Sequence, residues 1–347
     1  MSVPRIELAP GFSISRIIKG GWQLAVGHSD KIHSDPLEDM FTFADAGVTT
    51  FDCADIYTGV EELIGHFIKH RKRQSGEGPG IEVLTKFVPD RDVLPVITKA
   101  YVEKIIDRSL ERLGVERLDV VQFHWWDYEI PGMLETAHWL KMLQQAGKIH
   151  LISGTNFDTQ RIQELMEGGV HLASLQIQYS LLDRRADSRL AELCSRHKIR
   201  LLCYGTVAGG FLSDRWLGVK EPTPPFENRS LVKYKLIIDE FGGWDLFQSL
   251  LLTLRSIGNK HGATITNVAS RYVLDRKQVG GIIIGARTAS QLKANLDALK
   301  ISLDAEDLRD IEKILLQGQG PQGDVFALER VNDGPHSAIM KYNLNKS

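Results

Sequence analysis

A chain of 347 residues, 43 % hydrophobic and 25 % charged, has the balance of a folded globular protein with a large core, which excludes disordered, collagenous and disulfide-scaffold classes. Its 42 Lys and Arg nearly cancel 44 Asp and Glu, and the formal charge of -2 leaves no electrostatic footprint for nucleic acid or an anionic membrane. Cys53, Cys194 and Cys203 are odd in number and far apart, no apolar run approaches the ~18 residues of a membrane span, and the N-terminus lacks a signal pattern, so the expectation is a cytoplasmic protein.

In chain order, Pro10-Gly11 between two short apolar runs predicts a hairpin. Short strands then alternate with longer helical patterns. Strands are expected at 17–19, 49–51, 81–87, 118–123, 149–153, 172–177, 199–204 and 279–284. Helices are expected near 36–46, 60–69, 101–113, 158–168, 186–197, 246–260, 266–274 and 290–299, with Met133, Ala137 and Leu140 marking one more helix face. About eight strand–helix units is the count of a closed (β/α)8 barrel. The strands are almost continuously apolar (Leu118-Asp119-Val120-Val121, Gly281-Ile282-Ile283-Ile284), as a parallel sheet covered by helices requires. The chain reads as one barrel domain, with its core at about 15–300 and a C-terminal helix and tail over 301–347. Two stretches break the rhythm. Residues 213–244, rich in Pro and aromatics, are expected to form a long loop, and the Gly-rich segment from Gln317 is expected to be a flexible tail.

Active sites of such barrels lie where the strands end. Asp52 follows the second strand, Tyr57 lies in its loop, Lys86 ends the third strand and His124 the fourth. A Lys ammonium ~4 Å from a phenol, at an effective dielectric of ~20, interacts by about 4 kcal/mol, enough to lower a Tyr pKa by ~3 towards 7. A Tyr tuned this way can protonate a developing alkoxide, with Asp52 holding the Lys and His124 polarising the same oxygen or orienting the substrate. No metal or protein nucleophile is called for, so the set points to hydride transfer from a nicotinamide cofactor to a carbonyl. His66 and His70 have a metal-like spacing, but the run Arg71-Lys72-Arg73 reads better as a cationic helix end. Trp22 and Trp125, near strand ends, are candidate walls of a substrate pocket.

The segment Asp52-Cys53-Ala54-Asp55-Ile56-Tyr57-Thr58-Gly59 with Glu61 and Gly65, the run Ser109-Leu110-Glu111-Arg112-Leu113-Gly114 leading to His124, the segment Ile149 to Phe157, and Gly285-Ala286-Arg287-Thr288 with Gln291 and Asn295 resemble, in order, the motifs of the aldo-keto reductase family. The resemblance runs from about Ile17 to about Leu299. It implies Tyr57 as proton donor assisted by Asp52 and Lys86, with His124 orienting the substrate. It implies that Ser153, Asn156 and Gln178 hold the nicotinamide carboxamide and that Tyr204 stacks on the ring. Gly205, Thr206, Ala208, Gly209, Gly210, Phe211 and Leu212 would wrap the pyrophosphate, with Gly21 and Gly285 also in the cofactor set. Arg287 would meet a 2′-phosphate, which favours NADP(H) while leaving NAD(H) possible, and Gln291 and Asn295 would contact the adenine end. The partner is then a small-molecule carbonyl or sugar. A sugar dehydrogenase working oxidatively, or a cofactor-sensing regulatory subunit, are the alternatives. The sequence departs from the family pattern at Cys53, at Thr206-Val207 and at Ala294.

Overall fold

The computed structural model describes residues 2–25, 35–75, 80–187, 189–286 and 288–345. Strands β1 (Arg5–Ala9) and β2 (Phe12–Ser15) pair antiparallel as the expected hairpin. Eight further strands follow: β3 (Ile17–Gly20), β4 (Thr50–Asp52), β5 (Glu82–Phe87), β6 (Leu118–Phe123), β7 (Ile149–Thr155), β8 (Ser174–Gln178), β9 (Arg200–Tyr204) and β10 (Val279–Ile284). They close in the order β10-β3-β4-β5-β6-β7-β8-β9, every pair parallel, giving a (β/α)8 barrel. The sequence places the strands correctly because a parallel sheet covered on its outer face leaves unbroken apolar runs.

Helices α1 (Pro36–Asp45), α2 (Val60–Ser75), α3 (Lys99–Leu113), α4 (Met133–Gln145), α5 (Thr159–Glu167) and α6 (Arg189–His197) lie between successive strands. Their starts carry local signals: Asp35, Thr98 and Asp158 accept backbone N–H groups of α1, α3 and α5 through their side chains. The segment joining β9 to β10 holds α7 (Arg229–Phe241), α8 (Gly243–His261) and α9 (Ile265–Leu274), and α10 (Leu292–Leu296), α11 (Ala305–Leu315) and α12 (Pro335–Ala338) follow the barrel.

Successive residues of a strand face opposite sides, so every second one points into the barrel. The hairpin residues Leu8 and Ile14 form a buried cluster with Ile18, Leu84, Val120 and Leu202, which seals the end of the barrel where the strands begin. The opposite end, where the strands finish, collects polar side chains.

Two expectations are corrected here. The stretch 213–244 is not a plain loop: α7 occupies Arg229–Phe241, capped by Asn228 and burying Leu231, Tyr234, Ile237, Ile238 and Phe241 along one face. That helical spacing stood in the sequence, masked by the prolines just before it. Nor is the tail from Gln317 a free end. Val325, Phe326, Glu329 and His336 are buried, and the chain crosses the barrel mouth.

Candidate active site

Residues from four barrel strands meet in a buried polar layer. Lys86 Nζ lies 2.8 Å from both Asp52 Oδ1 and Oδ2 and 2.7 Å from the Cys53 carbonyl, so its three protons all have acceptors. Asp52 Oδ1 also accepts from Gln122 Nε2 at 2.9 Å and Gln176 Nε2 at 2.6 Å, and Gln176 donates to Gln122 Oε1 at 2.8 Å. Four buried side chains thus satisfy one another, which burial of charge demands. Gln122 and Gln176 went unseen in the sequence. Their signal is parity: each sits two residues before His124 and Gln178 on its strand and so faces the same way. Burial opposes the Lys86 ammonium, but the Asp52 carboxylate outweighs it and lifts the Lys86 pKa above its ordinary value.

Tyr57 lies above this layer. Lys86 Nζ is 5.2 Å from the centre of its ring, and the Trp22 ring is 5.0 Å from it on another side. The expected lowering of the Tyr57 pKa does not occur. Burial raises it most, Lys86 pulls it down, and the charges of Asp52, Cys53 and Asp55 push it up again, leaving it at about 12. The Asp52 carboxylate that grips Lys86 cancels much of the cation's field. Gly21 closes the layer from the β3 side: its N–H donates to Asp52 O at 2.7 Å, and a Cβ there would sit 2.7 Å from that same oxygen. Only glycine lets the two backbones approach so closely.

His124 is 2 % exposed and its Nδ1 is 3.0 Å from Thr155 O. A carbonyl only accepts, so Nδ1 carries the proton. Burial, then the Arg330 cation, push its pKa down to about 3, and the ring is neutral. Its Nε2 is buried and has no hydrogen-bond partner among the described residues. Trp126 packs edge-on against the imidazole at 4.3 Å and Phe326 of the tail at 5.7 Å. Trp125, expected in the pocket wall, is instead 0 % exposed in the core, its Nε1 bonded to Ile130 O; its neighbour Trp126 takes the place beside His124.

Of the residues expected to hold a nicotinamide, Asn156, Gln178 and Tyr204 gather at the ends of β7, β8 and β9. Gln178 donates from Nε2 to Asp183 at 2.7 Å, while its Oε1 is buried and unpartnered among the described residues. Asn156 adopts a left-handed backbone (φ 60) and its Oδ1 accepts from Tyr204 Oη at 2.9 Å. Ser153 does not reach this group. It is fully buried and its Oγ pairs with Ser174 Oγ at 2.7 Å, a layer deeper in the barrel, whereas Thr155, two residues on, is the one beside His124. The turn Gly205, Thr206, Ala208, Gly209, Gly210, Phe211, Leu212 is held by bonds from Ala208 N to Gly205 O and from Leu212 N to Val207 O, with Ala208, Gly209 and Gly210 all at positive φ. Phe211 and Leu212 are 0 % exposed, so only their backbone could meet a ligand. On the β10 side, Asn295 Nδ2 donates to Gln291 O, and a Cβ on Gly285 would come 2.6 Å from Gln23 Nε2. Arg287 lies outside the described residues.

The segment 213–244 divides in its role. Trp216 and Trp244 pack with Phe211 and Phe247 as core. Tyr234 lies against the turn, within 2.1 Å of where a Gly205 Cβ would stand. Lys233 Nζ sits 5.1 Å over the Tyr204 ring and 3.9 Å from Glu329, which contacts Arg185, itself paired with Asp183. The tail is tied in by Arg330, which donates to Trp125 O at 2.9 Å and Asn156 O at 3.0 Å, and by Asn345, which donates to Val88 O and Asp90.

An enclosed barrel mouth bearing Asp, Tyr, Lys and His, beside an unpartnered amide oxygen and a strained glycine turn, has the donor set for a nicotinamide coenzyme and a carbonyl. Among the described residues no group of three or more His, Cys, Asp or Glu could hold a metal ion, and no helix is long and apolar enough to cross a membrane. Residues 16–316 match the model of the aldo/keto reductase family, and the chain belongs to that family, a family of NAD(P)H-dependent oxidoreductases acting on carbonyl and alcohol groups. It is 27 % identical over 328 residues to the chloroplastic pyridoxal reductase of Arabidopsis thaliana, covering 89 % of this chain and 85 % of that one. It is 24 % identical over 334 residues to the NADH-specific methylglyoxal reductase of Escherichia coli, covering 87 % and 96 %. The glycerol dehydrogenase of Gluconobacter oxydans shares the fold, with a TM-score of 0.77 at 23 % identity over 93 % of this chain and 98 % of that one.

Proposed function

We propose that this protein reduces an aldehyde or ketone to the alcohol, using NADPH, with Tyr57 as the proton donor. The observation that carries this reading is the buried Asp52–Lys86 pair beneath the Tyr57 ring, at the same barrel mouth as the unpartnered Gln178 Oε1. The coenzyme, when bound, supplies the hydride. Gln178 Oε1 has the free lone pairs to accept from a carboxamide NH2, with Asn156 at its side, and Tyr204 offers its ring for stacking. The backbone of 205–212 serves the pyrophosphate. Arg287, by its resemblance, takes a 2′-phosphate, whose charge suits a guanidinium fork, and Gln291 and Asn295 take the adenine end.

Tyr57 at about 12 is still a competent acid for this step. An alkoxide is a much stronger base than a phenolate, so its protonation by Tyr57 is downhill. Lys86, its protons all engaged, acts on the phenol through its charge and steadies the phenolate left behind.

The test is a panel of aldehydes and ketones with NADPH and with NADH, followed by loss of nicotinamide absorbance, in the wild type and in Tyr57→Phe. The expected result is turnover that Tyr57→Phe cuts by 10²–10⁴, with NADPH still bound and preferred over NADH. A Tyr57→Phe enzyme at near-normal rate would overturn the mechanism; equal affinity for the two coenzymes would overturn the preference.

A further inference from the structure

The chain doubles back just after β8. Ser180 N donates to Asp183 O at 3.1 Å and Asp183 N to Ser180 O at 3.3 Å, which returns the Asp183 side chain to the end of the strand it has left. There Asp183 Oδ2 accepts from Gln178 Nε2 at 2.7 Å. Arg185 grips the same carboxylate at both oxygens, from Nε to Oδ1 at 2.9 Å and from Nη2 to Oδ2 at 2.7 Å, and the two charged side chains are only 1 % and 2 % exposed. Arg185 also meets Glu329 of the tail at 3.4 Å. Apolar side chains of the same volume would be about as stable, so the worth of these buried charges lies in what they orient.

A primary amide has two ends of nearly the same shape, one that donates and one that accepts. A carboxylate offers only lone pairs, so it takes the NH2 end, and the fork of Arg185 keeps that carboxylate ionised and fixed. Gln178 Oε1 is thereby turned away from Asp183, and it is buried with no partner among the described residues. Resting on the reading above, in which Gln178 faces the nicotinamide carboxamide, we propose that Asp183, held by Arg185, is a positioning residue that locks the Gln178 side chain with its oxygen towards the coenzyme. The lock makes the cleft select a nicotinamide whose 3-substituent brings an N–H, because a ring without one leaves the buried oxygen unmet. Gln178 is also ordered before the coenzyme arrives, so binding does not have to fix its side chain.

The experiment measures dissociation constants of the full chain for NADPH and for NADH, each beside its 3-acetylpyridine analogue, in which a methyl group replaces the carboxamide NH2. Quenching of protein fluorescence reads the binding with no carbonyl substrate present. The wild type is expected to prefer the natural coenzyme over its analogue by about tenfold or more. Asp183→Asn should bring that ratio close to one, because an amide in that place offers an N–H as well as an oxygen and lets Gln178 turn over. Gln178→Leu should do the same, and adding Asp183→Asn to it should leave the ratio where it is, as expected of one residue acting through the other. A purely structural Asp183 would weaken both ligands alike. Should Asp183→Asn fail to fold with Arg185 uncompensated, Asp183→Asn/Arg185→Met removes both charges together and carries the same expectation. Equal wild-type affinity for coenzyme and analogue, or a ratio unchanged in the Asp183 variants, overturns the proposal while carbonyl reduction stands. Failure to bind either coenzyme overturns both readings, whereas discriminating binding without turnover of any carbonyl supports this one and overturns the reduction.

Discussion

Lys86 Nζ stands 2.8 Å from each carboxylate oxygen of Asp52, with the two side chains only 5 % and 6 % exposed. A buried pair this close is costly to break on one side, because the survivor keeps its charge without its counterion. Lys86→Met should therefore lower stability by about 3–5 kcal/mol, towards the lower end because Gln122 and Gln176 still donate to Asp52. Adding Asp52→Asn to Lys86→Met should recover most of that loss without restoring carbonyl reduction. Urea unfolding of the single and double variants, set beside their turnover, checks both halves. A double variant no more stable than Lys86→Met would show that the pair is not the source of the loss.

The Tyr57 hydroxyl, held at about 12, predicts a rate that does not titrate with that group near neutrality. A phenol tuned towards 7 would lose its proton, and the reduction its acid, as pH rose through 7. With the phenol at 12, protonation of the alkoxide survives to well above pH 9. The measurement is kcat for reduction between pH 6 and 10 in wild type and in Asp55→Asn. A fall centred near 7 in both proteins would contradict the raised value.

Asp55 gives a stability prediction with a definite sign. Burial first, then the charge of Glu61, raise its pKa from 3.8 to about 8, against opposition from the Val88 N–H, Arg108 and Asn345. Between those two values the folded chain holds a proton that the unfolded chain has released. The stability this group contributes is complete below about pH 4 and is lost as pH rises through 8. Asp55→Asn removes the titration, so wild type should lose about 4 kcal/mol relative to that variant between pH 5 and 9. Parallel thermal melts of the two proteins across that range would refute this by running at a constant separation.

Gly205 has φ 71 and lies under the Tyr234 hydroxyl, which would be 2.1 Å from an added Cβ. Gly205→Ala is thus both strained in backbone and blocked by α7, and it should raise the NADPH dissociation constant by about tenfold or more as the turn shifts. Trimming the obstacle with Tyr234→Ala should recover part of the affinity. Coenzyme titration by fluorescence quenching separates these cases; unchanged affinity in Gly205→Ala would show that the turn does not carry the pyrophosphate.

What the amino-acid order by itself determined is whatever depends on neighbours along the chain. The eight strands, the hairpin, the barrel and the placing of Asp52, Tyr57, Lys86 and His124 at strand ends follow from periodicity, because a covered parallel sheet leaves an unbroken apolar signature and its strand ends share one mouth. Tertiary structure decided what depends on partners distant in sequence. Gln122 and Gln176 bond to Asp52 across 70 and 124 residues. Trp125 turns into the core while Trp126 lies beside His124, because adjacent residues diverge at a strand end. The tail docks through Arg330 onto carbonyls 205 and 174 residues away, which no local pattern announces. The acidity of Tyr57 was decided in the same way: a cation beside a phenol is legible in order and spacing, whereas the desolvation that outweighs it exists only once the barrel has closed around both.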